Sequence, residues 1–131
     1  MLQIQRKNAQ VTYTDLAPEI EAAGPAIQEY FSRKGLQCLV TSARDGAHSK
    51  HSAHYTGRAL DLRSRGVKAP QPFCIGLQKA IASSSDTGNY FVVWEGNHIH
   101  LEWCPKGEVP NIVGYRPDKF YYDSTVLKKK S

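Results

Sequence analysis

All five histidines of this 131-residue chain fall in two short windows. The first reads His48-Ser-Lys-His51-Ser-Ala-His54-Tyr-Thr-Gly-Arg-Ala-Leu-Asp61, and the second reads Trp94-Glu95-Gly-Asn-His98-Ile-His100-Leu-Glu102-Trp103. Imidazole and carboxylate groups are the nitrogen and oxygen donors that zinc takes, and both move protons near neutral pH. Histidines used only for packing would be spread along the chain. Their concentration beside Asp61 and Glu95 points first to a metal site.

The spacing says how such a site would be assembled. His54 and Asp61 are seven residues apart, too far to share one helix face but suited to a loop residue and a strand residue joined by a turn at Gly57. An aspartate inside the apolar run Arg58-Ala-Leu-Asp61-Leu62 needs a partner, and a metal supplies one. His98 and His100 alternate with Ile99 and Leu101, so a strand would aim both imidazoles at one face and both aliphatics at the other. Glu95 stands three residues before His98 and five before His100, within reach of a water at the metal. Plainer readings exist for several of these groups. Glu95 also fits a solvated turn, and His48 and His51 also fit a polar loop. Glu102 reads as a surface or supporting carboxylate, Trp94 and Trp103 as hairpin packing, and Arg58 as a surface charge.

The segment Ser52-Ala-His54-Tyr-Thr-Gly57-Arg-Ala59-Leu-Asp61 fits the pattern Ser-x-His-x-x-Gly-x-Ala-x-Asp, and a His-x-His follows roughly 40 residues later. In this the chain resembles the zinc D-Ala-D-Ala carboxypeptidases and L-alanyl-D-glutamate endopeptidases of bacteria and phages. It is also similar to the amino-terminal signalling domain of hedgehog proteins. The resemblance spans about residues 36 to 103. It implies zinc held by His54, Asp61 and His100, with Glu95 as general base and His98 supporting the transition state. The His-x-His pattern favours His100 as third ligand. The family's three-residue spacing from acid to ligand histidine fits Glu95 with His98, which keeps His98 as the alternative. His48, six residues before His54, resembles an accessory histidine of the hedgehog domain. Arg44 resembles the family's substrate-carboxylate or transition-state arginine, although Ser42-Ala-Arg44 departs from the usual Ser-Gly-Tyr-Arg.

The implied reaction is hydrolysis of peptidoglycan stem peptides. Zinc acidifies water and polarises a carbonyl. Glu95 would take the water's proton and pass it to the leaving amine, while His98 or Arg44 would stabilise the oxyanion. The rival implication is a zinc-containing binding module that cuts nothing, as the hedgehog comparison suggests.

Elements must carry these groups. Asp15 to Phe31 has apolar residues at helical spacing, with Thr14 or Asp15 as cap, an interruption expected at Gly24-Pro25, and Gly35 as terminator. Leu36 to Thr41 reads as a buried strand, 42–56 as a long loop, and Arg58 to Leu62 as a short strand. Phe73 to Ala82 reads as a second helix. Tyr90 to Trp94 and His98 to Trp103 form a hairpin about Glu95-Gly96-Asn97. Pro105 to Ser131 reads as irregular, ending in the basic run Lys128-Lys129-Lys130. The expected fold is therefore one small α+β domain over residues 1–131. An antiparallel sheet carries the zinc site and helices pack on one face.

Bulk properties bound the partners. A net charge of +5 favours polyanions such as nucleic acid, acidic lipid or an anionic cell wall, without choosing among them. Charge alone predicts no specific nucleic-acid binding. No run is long and apolar enough for membrane insertion, and the first eight residues lack the core of a signal peptide. The expectation is a monomer made in the cytoplasm and acting at the cell wall after release by another route. Three cysteines without a Cys-x-x-Cys pair exclude a cysteine zinc knuckle and a disulfide framework. Cys38 and Cys74 read as buried apolar residues, and Cys104 as partly exposed.

Overall fold

Helix α1 runs from Pro18 to Arg33 and buries Ile20, Ala23, Gly24, Ile27, Tyr30 and Phe31. That face follows the helical spacing of the sequence. A computed structural model describes residues 2–45, 53–110 and 121–123. The expected interruption at Gly24-Pro25 does not occur: the helix continues through Pro25. Proline sacrifices one ladder bond, but the apolar stripe on both sides is fully buried and holds the helix together. Gly24 has a packing role, since a Cβ there would stand 2.9 Å from Leu2 Cδ1. The start also differs from expectation. Ala17 is the N-cap, without a side-chain bond, and Pro18 opens the helix. The Ala17 N–H donates instead to the Gly57 carbonyl at 2.9 Å. Gly35, at φ 72°, ends the helix as expected.

Strand β1 is short, Val40–Ser42, and β2 spans Ala59–Arg63. Helix α2 covers Pro70–Ile81, one turn earlier than the apolar pattern indicates, because Pro70 can occupy the first helical turn. Strands β3, Gly88–Trp94, and β4, His98–Pro105, form the expected hairpin with longer arms. Strand β5, Tyr121–Asp123, falls where the sequence reads as irregular and pairs in parallel with β3. Three residues beside several prolines carry too little periodicity to announce a strand.

The fold is α+β. Strands β1, β2, β4 and β3 form a four-stranded antiparallel sheet in that order, β5 lies beside β3, and the helices pack against the sheet. Leu60, Leu62, Tyr90, Val92, Ile99, Leu101 and Trp103 join residues of α1 and α2 in one core. The Tyr30 hydroxyl donates to the Phe73 carbonyl at 2.8 Å, and the Tyr30 and Phe31 rings both meet Phe73 edge-on at 5.1 Å. These contacts lock the two helices together. Among the described residues, no helix is long and apolar enough to cross a membrane.

Period-two alternation then fixes what the other sheet face carries. Opposed residues of an antiparallel pair share a face. Asp61 pairs with His100, Arg63 with His98, and Ala59 with Glu102. His98, His100, Glu102 and Cys104 therefore line up along one face of β4, with Asp61 beside them on β2.

Candidate metal centre

His54 reaches this face from a 3-10 turn, Ala53–Thr56. Gly57 then turns the chain at φ 74°, a conformation in which a side chain is strained. Its backbone also lies against α1's approach, where a Cβ would stand 2.5 Å from the Asp15 carbonyl oxygen. The turn closes by the Gly57 N–H donating to the His54 carbonyl at 3.1 Å, and the Arg58 N–H to the Ala53 carbonyl at 3.0 Å. After it β2 begins, and Asp61 faces back toward His54.

Three imidazole nitrogens converge on one carboxylate oxygen. Asp61 Oδ1 lies 3.1 Å from His54 Nε2, 3.3 Å from His100 Nδ1 and 3.7 Å from His98 Nε2. The His54 and His100 rings meet edge-on at 5.1 Å. His54, Asp61 and His100 are all buried and offer one donor atom each, all within 4.8 Å of one another. This buried His-Asp-His group could hold a metal ion. Tetrahedral ligands at zinc bond lengths stand about 3.3 Å apart, close to the two shorter separations here.

The outward nitrogens of the two buried rings are also engaged. His54 Nδ1 is 2.6 Å from the Ala43 carbonyl, which can only accept, so Nδ1 carries the proton. When neutral, His54 turns an Nε2 lone pair toward Asp61; when protonated, it donates Nε2–H there. His100 Nε2 is 2.8 Å from Glu102 Oε1. Acceptors gathered around an anionic oxygen require a shared cation, either protons or a metal.

Without a metal, protons supply that charge. Burial disfavours the charged form of His100, but its bonds to Asp61 and Glu102 and their charges outweigh this and carry its pKa up to about 9. Burial alone would raise the Asp61 carboxyl. The hydrogen bonds from His100 and His54, with their charges, instead hold it well below the usual carboxylate range.

No family model, no curated protein and no solved structure matches the chain. The chemistry of the site therefore rests on its own donors and their geometry.

The residues singled out in the sequence divide accordingly. His54, Asp61 and His100 come together as one group. His98 sits at its edge, with 30% of its side chain exposed and Nδ1 2.5 Å from Asn97 Oδ1. Glu95 occupies the hairpin turn, where its N–H donates to the His98 carbonyl at 2.9 Å. Arg44 follows the Ala43 carbonyl that accepts from His54, and its Nη1 lies 3.5 Å from Asp15 Oδ2. His48, His51 and Ser52 lie outside the described residues, as does the Lys128 to Lys130 run.

Glu102, read from the sequence as a surface or supporting carboxylate, is of the supporting kind. It is 2% exposed, bonded to His100, and no surface carboxylate. The signal was its position two residues after His100, on the same strand face. Cys104 likewise is buried where partial exposure was expected, and its thiol is pushed up to about 12 by burial and by the Glu102 charge. Burial also pushes Cys38 to about 12, so neither thiol is poised as a nucleophile. Trp103 packs into the core as expected, with the Arg58 guanidinium 5.7 Å from its ring.

Proposed function

We propose that the chain is a zinc-dependent peptidase that hydrolyses peptidoglycan stem peptides, of the D-Ala-D-Ala carboxypeptidase or L-Ala-D-Glu endopeptidase type. The observation that carries the reading is the convergence of His54 Nε2 and His100 Nδ1 on Asp61 Oδ1. Two neutral imidazoles and one carboxylate suit zinc and leave a fourth position open. The Ser-x-His-x-x-Gly-x-Ala-x-Asp and His-x-His motifs, which resemble those of the zinc peptidases, add the substrate class. The net charge of +5 suits an anionic wall.

A bound zinc would supply Lewis acidity toward the scissile carbonyl and acidify the attacking water. His54, Asp61 and His100 would hold it from three chain segments. Glu95 accepts the water's proton and returns it to the leaving amine. The partly exposed His98 imidazole stands at the rim, its Nδ1–H held by Asn97 Oδ1, and in its imidazolium form Nε2–H would donate to the developing oxyanion. Arg44 anchors a substrate carboxylate from the segment beside Ala43.

Incubation of zinc-loaded protein with purified muropeptides, followed by mass spectrometry, tests the activity and names the bond. A mass loss of one D-alanine identifies the carboxypeptidase, and scission between L-alanine and D-glutamate the endopeptidase. Uncut muropeptides from a protein that holds zinc would overturn the peptidase reading and favour the non-catalytic, hedgehog-like zinc module.

A further inference from the structure

Glu102 is a carboxylate in an expensive place. Its side chain is 2% exposed, and its register partners on the neighbouring strands are the buried Ala59 and Phe91. Desolvating an ionised carboxylate is costly unless donors compensate it. Donors among the described residues reach it. His100 Nε2 stands 2.8 Å from Oε1, and the Cys104 thiol donates to Oε2 at 3.5 Å. The nitrogen contact is short and of the charge-assisted kind, which makes it the dominant one.

A ring nitrogen that donates to Glu102 must carry hydrogen, so in the neutral ring the lone pair sits on Nδ1. That is the atom 3.3 Å from Asp61 Oδ1. His54 is arranged the opposite way. The Ala43 carbonyl fixes its hydrogen on Nδ1 and leaves Nε2 toward Asp61. The difference follows from where each ring enters: His100 projects from the floor strand, and His54 from a turn beside β1.

We propose that Glu102 is a positioning residue: it holds His100 as the Nε2–H tautomer, so that Nδ1 of His100 and Nε2 of His54 are the atoms presented to the metal. The inference rests on the metal-binding reading of the preceding subsection. It goes beyond it by assigning the ligating atoms and the group that selects one of them. Cys104 supports the carboxylate on its far oxygen. Outer partners of this kind, when removed, typically cost 10–100-fold in metal affinity.

The test uses zinc ion alone as the probe. Competition against a chromogenic chelator at pH 7.5 is run on the native chain, Glu102→Ala and Glu102→Gln, with circular dichroism on each. Long-range proton–nitrogen NMR on the native, histidine-labelled, zinc-loaded protein reads which ring nitrogen is bound. The expected results are at least about tenfold weaker zinc binding by the alanine variant and partial rescue by glutamine, whose amide oxygen still accepts from Nε2–H. In the NMR experiment, His100 Nδ1 and His54 Nε2 are expected on zinc, with hydrogen on His100 Nε2. Equal affinity of native and a folded alanine variant overturns the positioning role while the metal reading stands. Zinc on His100 Nε2 overturns it as well, and this measurement decides the question if the alanine variant does not fold. A native chain that binds no zinc overturns both readings.

Discussion

Asp61 and His100 are register partners across β2 and β4, and their side chains meet at 3.3 Å. This half of the candidate metal group is thus built into the strand pairing. A one-residue slip would send one of them to the core face. Leu60, Leu62, Ile99 and Leu101 are completely buried on that face and forbid the slip. The hydrophobic core therefore sets the geometry of the polar site on the sheet's other side.

Ligand replacement should sort the three histidines of the site. His54→Ala, Asp61→Ala and His100→Ala should each weaken zinc binding by more than about a hundredfold, exceeding the 10–100-fold typical of supporting residues. His98→Ala, whose Nε2 is 3.7 Å from Asp61 Oδ1, should change it less than about tenfold. Chelator competition on the four variants is the measurement. The reverse ranking of His98 and His100 would make His98 the third ligand.

Catalytic replacement should separate holding from cutting. Glu95→Gln should keep zinc stoichiometry at native level and lower kcat by about 10²–10⁴-fold, the usual contribution of a positioned acid–base group. His98→Ala should lower kcat by about 10²–10³-fold, as loss of an oxyanion donor does. Muropeptide turnover followed by chromatography, with metal analysis of the same samples, reads both.

The charge on His100 predicts opposite pH trends with and without metal. Its pKa is raised from 6.5 to about 9. A raised histidine contributes stability that is fully present below about pH 6.5 and is lost as the pH rises through about 9. Metal-free protein should therefore have a lower urea midpoint at pH 9.5 than at pH 6.5. Asp61 is lowered, so its contribution is present above its ordinary 3.8 and is lost only as the pH falls through its depressed value. Zinc must displace the His100 proton, so its apparent affinity should rise about tenfold per pH unit toward pH 9 and then level off. Calorimetry in buffers of different ionisation heat should count close to one proton released near pH 8.

Gly57 couples the site to α1. Gly57→Ala places a side chain at φ 74° and a Cβ 2.5 Å from the Asp15 carbonyl oxygen. Backbone strain of this kind costs about 1–3 kcal/mol. The variant should show a lower urea midpoint and weaker zinc binding together, because the turn that strains is the one that aims His54.

The donors themselves were legible in the sequence. His54, Asp61 and His100 stood out by type and spacing, and the alternation of His98-Ile-His100-Leu announced which side chains share a face. Helix α1, the hairpin and the α+β class were legible for the same reason, since periodicity directly reports which face is buried. Less was legible where a local rule met a tertiary one. Pro25 looked like a break, yet buried neighbours carry α1 through it. Strand β5 has three residues and exists because β3 offers an edge.

What the sequence determined by itself was the inventory: a donor set suited to a metal, a turn residue that could bring its halves together, and strands with one apolar face. What only the tertiary structure decided was which atoms meet. The register of β2 on β4 put Asp61 opposite His100. The bulge between Val40 and Ser42 in β1 precedes the Ala43 carbonyl that orients His54. Burial converted Glu102 from an ordinary strand carboxylate into the partner of His100. Spacing fixes the direction of a side chain relative to its own strand. Its distance from groups on other strands depends on register and packing, which arise only when the whole core closes.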